Sequence, residues 1–183
     1  YSFSNVWTTS YQCIRRANTV FARIDEAKDL TAQDRAELLS LNRFIRAYAY
    51  YKLWLAYGPV ILVGDEEIPS NLDLGDYDRA RATNEETVEY ICSELEEAAK
   101  YLPETYPLME FGRPTKGAAY GLIARIRTYY ASPLWNGGEA ARRCFGNWYR
   151  KTDRVKYVTT DEYDEERWAI AAAACKRVMN MKK

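Results

Sequence analysis

The chain has 183 residues, of which 48% are hydrophobic and 28% charged, a composition typical of a folded protein rather than a disordered one. Lysine plus arginine and aspartate plus glutamate both number 26, so the net charge of zero offers no attraction to nucleic acid or an anionic membrane surface. The absence of histidine excludes Ser-His-Asp and Cys-His nucleophiles and most catalytic zinc sites.

Helical periodicity begins near the amino terminus. Apolar and aromatic residues three and four positions apart, from Trp7 to Ile24, predict a first helix over about residues 5–27. Thr31 then opens a capping sequence for a second helix, which Gly58-Pro59 is expected to end. An apolar stripe follows this second helix: Leu38, Leu41, Ile45, Tyr48 and Leu55. The two helices are predicted to form a hairpin over residues 5–57.

A second helical hairpin is predicted over residues 84–132. Thr83 and Glu86 have the spacing of a capping box, and the helix that they start is closed by Pro103. Gly112-Arg113-Pro114-Thr115 opens the fourth helix, since proline is tolerated in a first turn. Ser132-Pro133 ends it.

The remaining segment is predicted as a long irregular loop over residues 133–161, rich in Gly, Trp and Arg, followed by a fifth helix over residues 162–179. Helices paired in order predict an all-α fold of tetratricopeptide-like antiparallel pairs, in one domain over residues 1–183. Because the fifth helix lacks a partner, we expect the chain to be a fragment of a longer protein.

Five sequence blocks follow one another in register with these helix boundaries. They are Tyr11-Gln-Cys-Ile14 with Ala17-Asn18, Arg46-Ala-Tyr48 running into Tyr57-Gly58, Gly112-Arg-Pro-Thr115 running to Arg125, Tyr130-Ala-Ser-Pro-Leu-Trp-Asn136, and Trp168-Ala running to Val178. Together the blocks resemble the SusD/RagB family of proteins and cover nearly the whole chain.

The resemblance implies a function as well as a SusD-like helical fold. It implies a non-catalytic, surface-exposed outer-membrane lipoprotein that binds oligosaccharide or polysaccharide and captures it for a TonB-dependent transporter of the SusC type. Membrane attachment would depend on an N-terminal lipid anchor that is absent from this chain. Since family members are more than twice as long, the chain corresponds to their N-terminal helical part.

Sugar binding requires flat aromatic faces together with amide, carboxylate or guanidinium groups. Three segments at helix ends or in the predicted loop combine these groups. The candidate glycan-binding residues are Asn5, Trp7, Trp135, Asn136, Trp148, Tyr149 and Arg150. Packing in the core is the competing interpretation for each tryptophan, because tryptophan is usually highly buried.

No metal or cofactor site is predicted. The cysteines form no CxxC pair, and Cys13, Cys92 and Cys175 lie in helical patterns, which favours buried free thiols. The acidic turn at residues 71–78 lacks the glycine position and closing glutamate of a calcium-binding loop. We therefore interpret it as a solvated turn.

Two other functions compete with glycan capture. An intracellular tetratricopeptide adaptor, which holds a peptide in a concave groove, would explain the helices equally well. An all-α glycoside hydrolase would need a pair of carboxylates beside the glycosidic bond, and no such pair is distinguished by the sequence.

Overall fold

A computed structural model of the protein describes residues 3–69, 71, 73, 75, 78–159 and 161–181. Within these residues the chain is helical, with an isolated antiparallel bridge between Tyr149 and Lys156 as its β-structure. The helices are α1 (Phe3–Arg23), α2 (Ala32–Tyr57), α3 (Asn84–Ala99), α4 (Lys116–Tyr130), α5 (Gly138–Phe145) and α6 (Glu166–Met179). The prediction of an all-α fold is confirmed.

The helices pack in chain order. Helix α1 packs on α2, α2 on α3, α3 on α4, and α4 on α6. Each helix of the middle of the chain therefore lies between two others and buries residues on both sides. The largest fully buried hydrophobic side chains include Trp54, Tyr50, Ile14, Leu53, Ile91, Leu95 and Ile126. This succession is the tetratricopeptide-like arrangement expected from the sequence.

Threonine residues start three of these helices. The Oγ1 atoms of Thr31, Thr83 and Thr115 each accept a hydrogen bond from the backbone amide three residues further on. At Thr83 the capping box is complete, because the Glu86 carboxylate accepts a hydrogen bond from the Thr83 amide at 2.7 Å. Gly58, with a φ of +67°, ends α2. The capping predictions at Thr31 and Thr83 and the predicted end of α2 are confirmed.

A buried cluster around Arg46 joins three helices to the segment that follows α2. Arg46 is 0% exposed, and its guanidinium donates hydrogen bonds to the Glu94 carboxylate, to Asn18 Oδ1 at 2.8 Å and to the Gly64 carbonyl at 3.1 Å. The guanidinium plane also packs on the Phe21 ring, with Arg46 Cζ 4.5 Å from the ring centroid. Arg46 and Asn18 therefore have a structural function in α1 and α2, since buried charges need such partners.

Four of the five residues in the apolar stripe of α2 are exposed, whereas Leu41 packs against the core. Leu38, Ile45, Tyr48 and Leu55 are between 41% and 46% exposed. The buried face carries Arg46, Ala47, Tyr50, Leu53 and Trp54 instead. Helix α2 is apolar on two sides, and hydrophobic periodicity alone does not say which side a neighbouring helix covers.

The predicted loop over residues 133–161 contains a helix, α5, which is a correction to that prediction. Gly137 and Gly138 both have positive φ, at +72° and +75°, so the chain reverses sharply before it enters α5. Helix α6 begins at Glu166 rather than at residue 162, because Asn136 holds the backbone of Asp164 in a non-helical segment.

No group of three or more His, Cys, Asp and Glu side chains in the described ranges could hold a metal ion. None of the described helices is both long enough and apolar enough to cross a membrane. Residues 72, 74, 76 and 77 of the predicted acidic turn lie outside the described residues.

Candidate functional site

Two of the seven predicted glycan-binding residues lie in the core. Trp135 is 8% exposed and stacks on the Phe145 ring, with centroids 5.1 Å apart. Asn136 is 1% exposed; its amide donates to the Ala131 and Asp164 carbonyls, and its oxygen accepts from the Asp164 amide. Burial leaves both side chains little surface for a ligand, and the Asn136 amide is bonded within the protein, whereas Trp135 Nε1 is buried without a hydrogen-bond partner among the described residues. Packing in the core is therefore a better interpretation of both residues than direct glycan contact.

Trp7 lies on the side of α1 that faces the end of α2, and it is half-buried. Its ring and that of Tyr57 are nearly perpendicular at a centroid distance of 5.2 Å, and the Tyr11 ring lies 4.8 Å away. The Arg81 guanidinium sits over the same indole at 5.7 Å. Asn5, the predicted partner of Trp7, is exposed on the first turns of α1. Trp7 is thus an oriented aromatic group with part of its surface open to solvent.

Arg81 connects Trp7 to a second predicted segment. Its guanidinium donates a hydrogen bond to the Pro59 carbonyl at 3.3 Å, which fixes the side chain across the end of α2. Its own carbonyl accepts a hydrogen bond from Arg150 Nη1 at 3.2 Å. Two segments that the sequence treats separately, at residues 5–7 and 148–150, therefore meet around Arg81.

Trp148 completes this surface from the other side of Gly58. A Cβ atom placed on Gly58 would lie 3.6 Å from Trp148 Cη2 and 3.3 Å from Trp135 Cη2, so both rings approach the backbone at the end of α2. The Trp148 ring also contacts Phe145 and Tyr157, at centroid distances of 5.8 and 5.1 Å. Trp148 remains half-buried, unlike Trp135 beneath it.

A tight turn presents Tyr149 and Arg150. The Arg150 amide donates to the Val155 carbonyl at 2.8 Å, and Arg150 forms an ion pair with Asp153 at 2.9 Å. The hydrogen bond from Arg150 lowers the pKa of the Asp153 carboxyl, so the pair keeps both charges at neutral pH. Arg154 covers one face of the Tyr149 ring at 3.6 Å from the centroid. Tyr149 is consequently less available for stacking than Trp7 or Trp148.

We call the resulting set of half-buried side chains the Trp7–Trp148 surface. It comprises Trp7, Tyr57, Arg81, Trp148 and Arg150. Aromatic rings and guanidinium groups converge on it, a combination that suits non-covalent recognition of a sugar by stacking and hydrogen bonding to hydroxyl groups. The sequence did not identify Tyr57 as a candidate, although Tyr57 stands in one of the five blocks, nor Arg81, which lies outside every block.

Stacked antiparallel helix pairs with an aromatic surface at the helix ends define a tetratricopeptide-like helical domain suited to binding. Residues 1–128 match the SusD-like family described as "Starch-binding associating with outer membrane". The chain belongs to this SusD-like family.

Relatives and solved structures agree with this assignment. A SusD-like protein of Bacteroides ovatus is 29% identical over 140 residues, which is 75% of this chain and 24% of that protein. A solved structure named BT4246 is 28% identical with a TM-score of 0.83, over 94% of this chain and 29% of that one. Surface glycan-binding protein A from Bacteroides uniformis is 27% identical with a TM-score of 0.59, over 68% and 27%. The chain thus spans about a quarter of the length of the curated relatives it matches.

Proposed function

We propose that this chain belongs to a non-catalytic glycan-binding protein and that the Trp7–Trp148 surface contacts the sugar. The observation that carries the proposal is that Trp7 and Arg150 both contact Arg81 while Trp148 packs at Gly58, at the same end of α2, although these groups come from distant parts of the chain. Half-buried, oriented aromatic rings lose little conformational entropy when a ligand stacks on them.

The similarity to a surface glycan-binding protein supports a carbohydrate ligand. The aromatic and guanidinium groups of the surface favour binding over hydrolysis, because hydrolysis uses a pair of carboxylates on either side of the glycosidic bond. Asp153, the carboxylate nearest in this turn, is committed to Arg150.

The finer biological function is also a proposal. We infer that the whole protein is a surface-exposed outer-membrane lipoprotein that captures oligosaccharide for a SusC-like TonB-dependent transporter. The family description, which joins starch binding to the outer membrane, supports this assignment. Pull-down of a co-expressed SusC-like transporter with the full-length protein tests the partnership, and failure of the two to co-purify would oppose it.

Affinity electrophoresis tests the glycan-binding surface directly. Native gels that contain starch, laminarin or xyloglucan should retard the protein, whereas release of reducing sugar should stay at the blank level. Trp148→Ala and Trp7→Ala should each weaken retention by about fivefold to tenfold, since one stacked ring is worth on the order of 1–1.5 kcal/mol.

Tyr101→Ala is the matched control. Tyr101 is an exposed aromatic residue just after the carboxyl end of α3. The other end of α3 lies near the Trp7–Trp148 surface, because the Asn84 amide donates a hydrogen bond to the Tyr157 carbonyl. This variant should retain full binding. Unchanged retention in Trp7→Ala and Trp148→Ala would refute the surface, and no retardation by any of the three polysaccharides would count against glycan binding altogether.

A further inference from the structure

A cavity of 350 Å³ opens at the amino-terminal end of α5, away from the Trp7–Trp148 surface. Its volume lies within the range of about 300–1,000 Å³ that is usual for small-molecule sites. Helix α5 and the segment that precedes α6 form its walls. The residues that matter for its chemistry are Pro133, Gly138, Glu139, Arg143 and Tyr163.

Two linked aromatic residues stand beside this cavity. Tyr163 is 45% exposed and Trp168 is 40% exposed. The Trp168 indole Nε1 donates a hydrogen bond to the Tyr163 hydroxyl, which ties the two rings together. Isolated exposed aromatics are ordinary on protein surfaces, but a bonded pair beside a cavity is oriented for contact.

The backbone that carries Tyr163 is fixed from three directions. Asn136 bonds to both the amide and the carbonyl of Asp164, at 3.2 and 2.8 Å. Arg142 donates to the Asp161 carbonyl at 2.6 Å. Gly137 approaches so closely that a Cβ atom there would lie 2.1 Å from the Glu162 carbonyl oxygen. An exposed ring is therefore held by a segment with little freedom left to lose on binding.

Two charged side chains of opposite sign complete the walls. Glu139 and Arg143 lie four residues apart on α5, and both are exposed. Neither forms an ion pair within the described part of the chain, although this spacing permits one. Together they supply hydrogen-bond acceptors and donors with no net charge. This balance suits a neutral ligand with many hydroxyl groups better than an anion or a cation.

We infer that this cavity is a second sugar-binding site, in which a pyranose ring stacks on Tyr163 while Arg143 and Glu139 bond to its hydroxyl groups. The inference rests on the proposed function for the class of ligand and adds a second place of contact. The two sites lie toward opposite ends of α5, which is about 12 Å long at 1.5 Å per residue. If one glycan molecule occupied both sites, the protein would bind long glycans more tightly than short ones.

The five tryptophans make the test specific to each site. Each indole N–H gives its own NMR signal, which Trp→Phe variants assign. Oligosaccharides of starch, laminarin and xyloglucan are the probes. We expect a bound oligosaccharide to shift the signals of Trp168 and the Gly138 amide. The buried Trp54 and Trp135 serve as internal controls that should move least.

Arg143→Ala should weaken binding at the Trp168 reporter about tenfold or more and leave the Trp7 and Trp148 signals responsive, because a charged hydrogen bond is lost. Tyr163→Ala should abolish the Gly138 response. Because Arg143 is exposed, we expect Arg143→Ala to fold normally. This variant therefore tests the site even if Tyr163→Ala unfolds the protein.

The outcomes separate the two proposals. Shifts confined to Trp7 and Trp148 would overturn the second site and leave the proposed function standing. Shifts confined to Trp168 and Gly138 would support the second site and refute the Trp7–Trp148 surface. If none of the five tryptophan signals shifts with any of the three oligosaccharides, both the second site and the Trp7–Trp148 surface would be overturned.

Discussion

Arg46 of α2 and Glu94 of α3 face each other inside the helical stack, with Arg46 Nε and Nη2 at 3.0 and 2.5 Å from the same carboxylate oxygen. The second oxygen of Glu94 accepts from Arg43 Nη1 at 2.5 Å. Burial by itself would lower the pKa of Arg46, but Glu94, together with Tyr90 and Asp65, raises the pKa above its usual value. The carboxylate thus compensates a buried charge as well as joining two helices.

Removal of Glu94 should therefore destabilise the fold strongly. Glu94→Ala leaves the guanidinium of Arg46 in the interior without its main counter-charge, at a cost of about 3–5 kcal/mol in the free energy of unfolding. Urea denaturation measures this loss. Glu97→Ala, which breaks the exposed pair with Lys100, is the control and should cost less than about 1 kcal/mol. Equal losses in the two variants would contradict the structural function of the Arg46 cluster.

Gly137 should be intolerant of a side chain. Gly137→Ala places a Cβ atom 2.1 Å from the Glu162 carbonyl and also requires a residue other than glycine at a φ of +72°. Gly64→Ala is a matched control, since its φ is +67° and nothing lies within 4 Å of the added atom. We expect about 1 kcal/mol of destabilisation at Gly64 from backbone strain, and at least about 2 kcal/mol more at Gly137. Thermal melts that rank the variants in the reverse order would refute the close approach.

Stability should fall in alkaline solution. Burial raises the pKa of Tyr50 and Tyr130 from 10.0 to about 12, and that of Cys92 from 9.0 to about 12. The folded state holds these groups protonated, so their contribution to stability is complete below about pH 8.5 and is lost progressively between about pH 8.5 and pH 12. Each unit of pKa difference corresponds to about 1.4 kcal/mol.

Urea midpoints measured from pH 7 to pH 11 test this dependence. The curve should stay flat with respect to these groups up to about pH 8.5 and decline above it. Cys92→Ala should remove the earliest part of the decline, since the thiol has the lowest unfolded pKa of the three. An unchanged midpoint at pH 11 would argue against burial of these groups.

The four cysteines should react at different rates. Cys144 and Cys175 are exposed free thiols, whereas Cys92 is buried and its raised pKa keeps it protonated. Iodoacetamide at pH 8 should modify Cys144 and Cys175 first and Cys92 only after unfolding. The expectation of a buried thiol is thus correct for Cys92, correct in part for the half-buried Cys13 and wrong for Cys175. Peptide mapping by mass spectrometry reads the order, and early labelling of Cys92 would contradict the packing of α3.

Local signals predicted much of the fold. Thr83 with Glu86 and Gly58 with Pro59 specify helix ends through bonds between close neighbours, so the sequence contains the necessary information. Helix α5 was missed because a helix of eight residues that starts at two glycines has neither the length nor the cap that sequence patterns reveal.

The candidate site was predicted only in part. The sequence identifies Trp7, Trp148 and Arg150 as residues with suitable chemistry. The contacts of Trp7 and Arg150 with Arg81, and of Trp148 with the end of α2, depend on how distant segments pack. Trp135 and Trp148 illustrate the difficulty, since both stand in segments with an adjacent asparagine and only one is buried deeply. Burial is set by the end of α2 at Gly58, more than 70 positions earlier in the chain.

The outward apolar stripe on α2 has a practical consequence for work with the isolated chain. This stripe exposes apolar surface at Leu38, Ile45, Tyr48 and Leu55. The positive and negative charges of the chain cancel, and its isoelectric point is about 6.6. Because electrostatic repulsion between molecules is small near neutral pH, we expect the isolated chain to self-associate through this apolar stripe. Buffers well above or below that pH, where every copy bears the same sign of charge, should give the clearest solutions for the titrations that glycan binding requires.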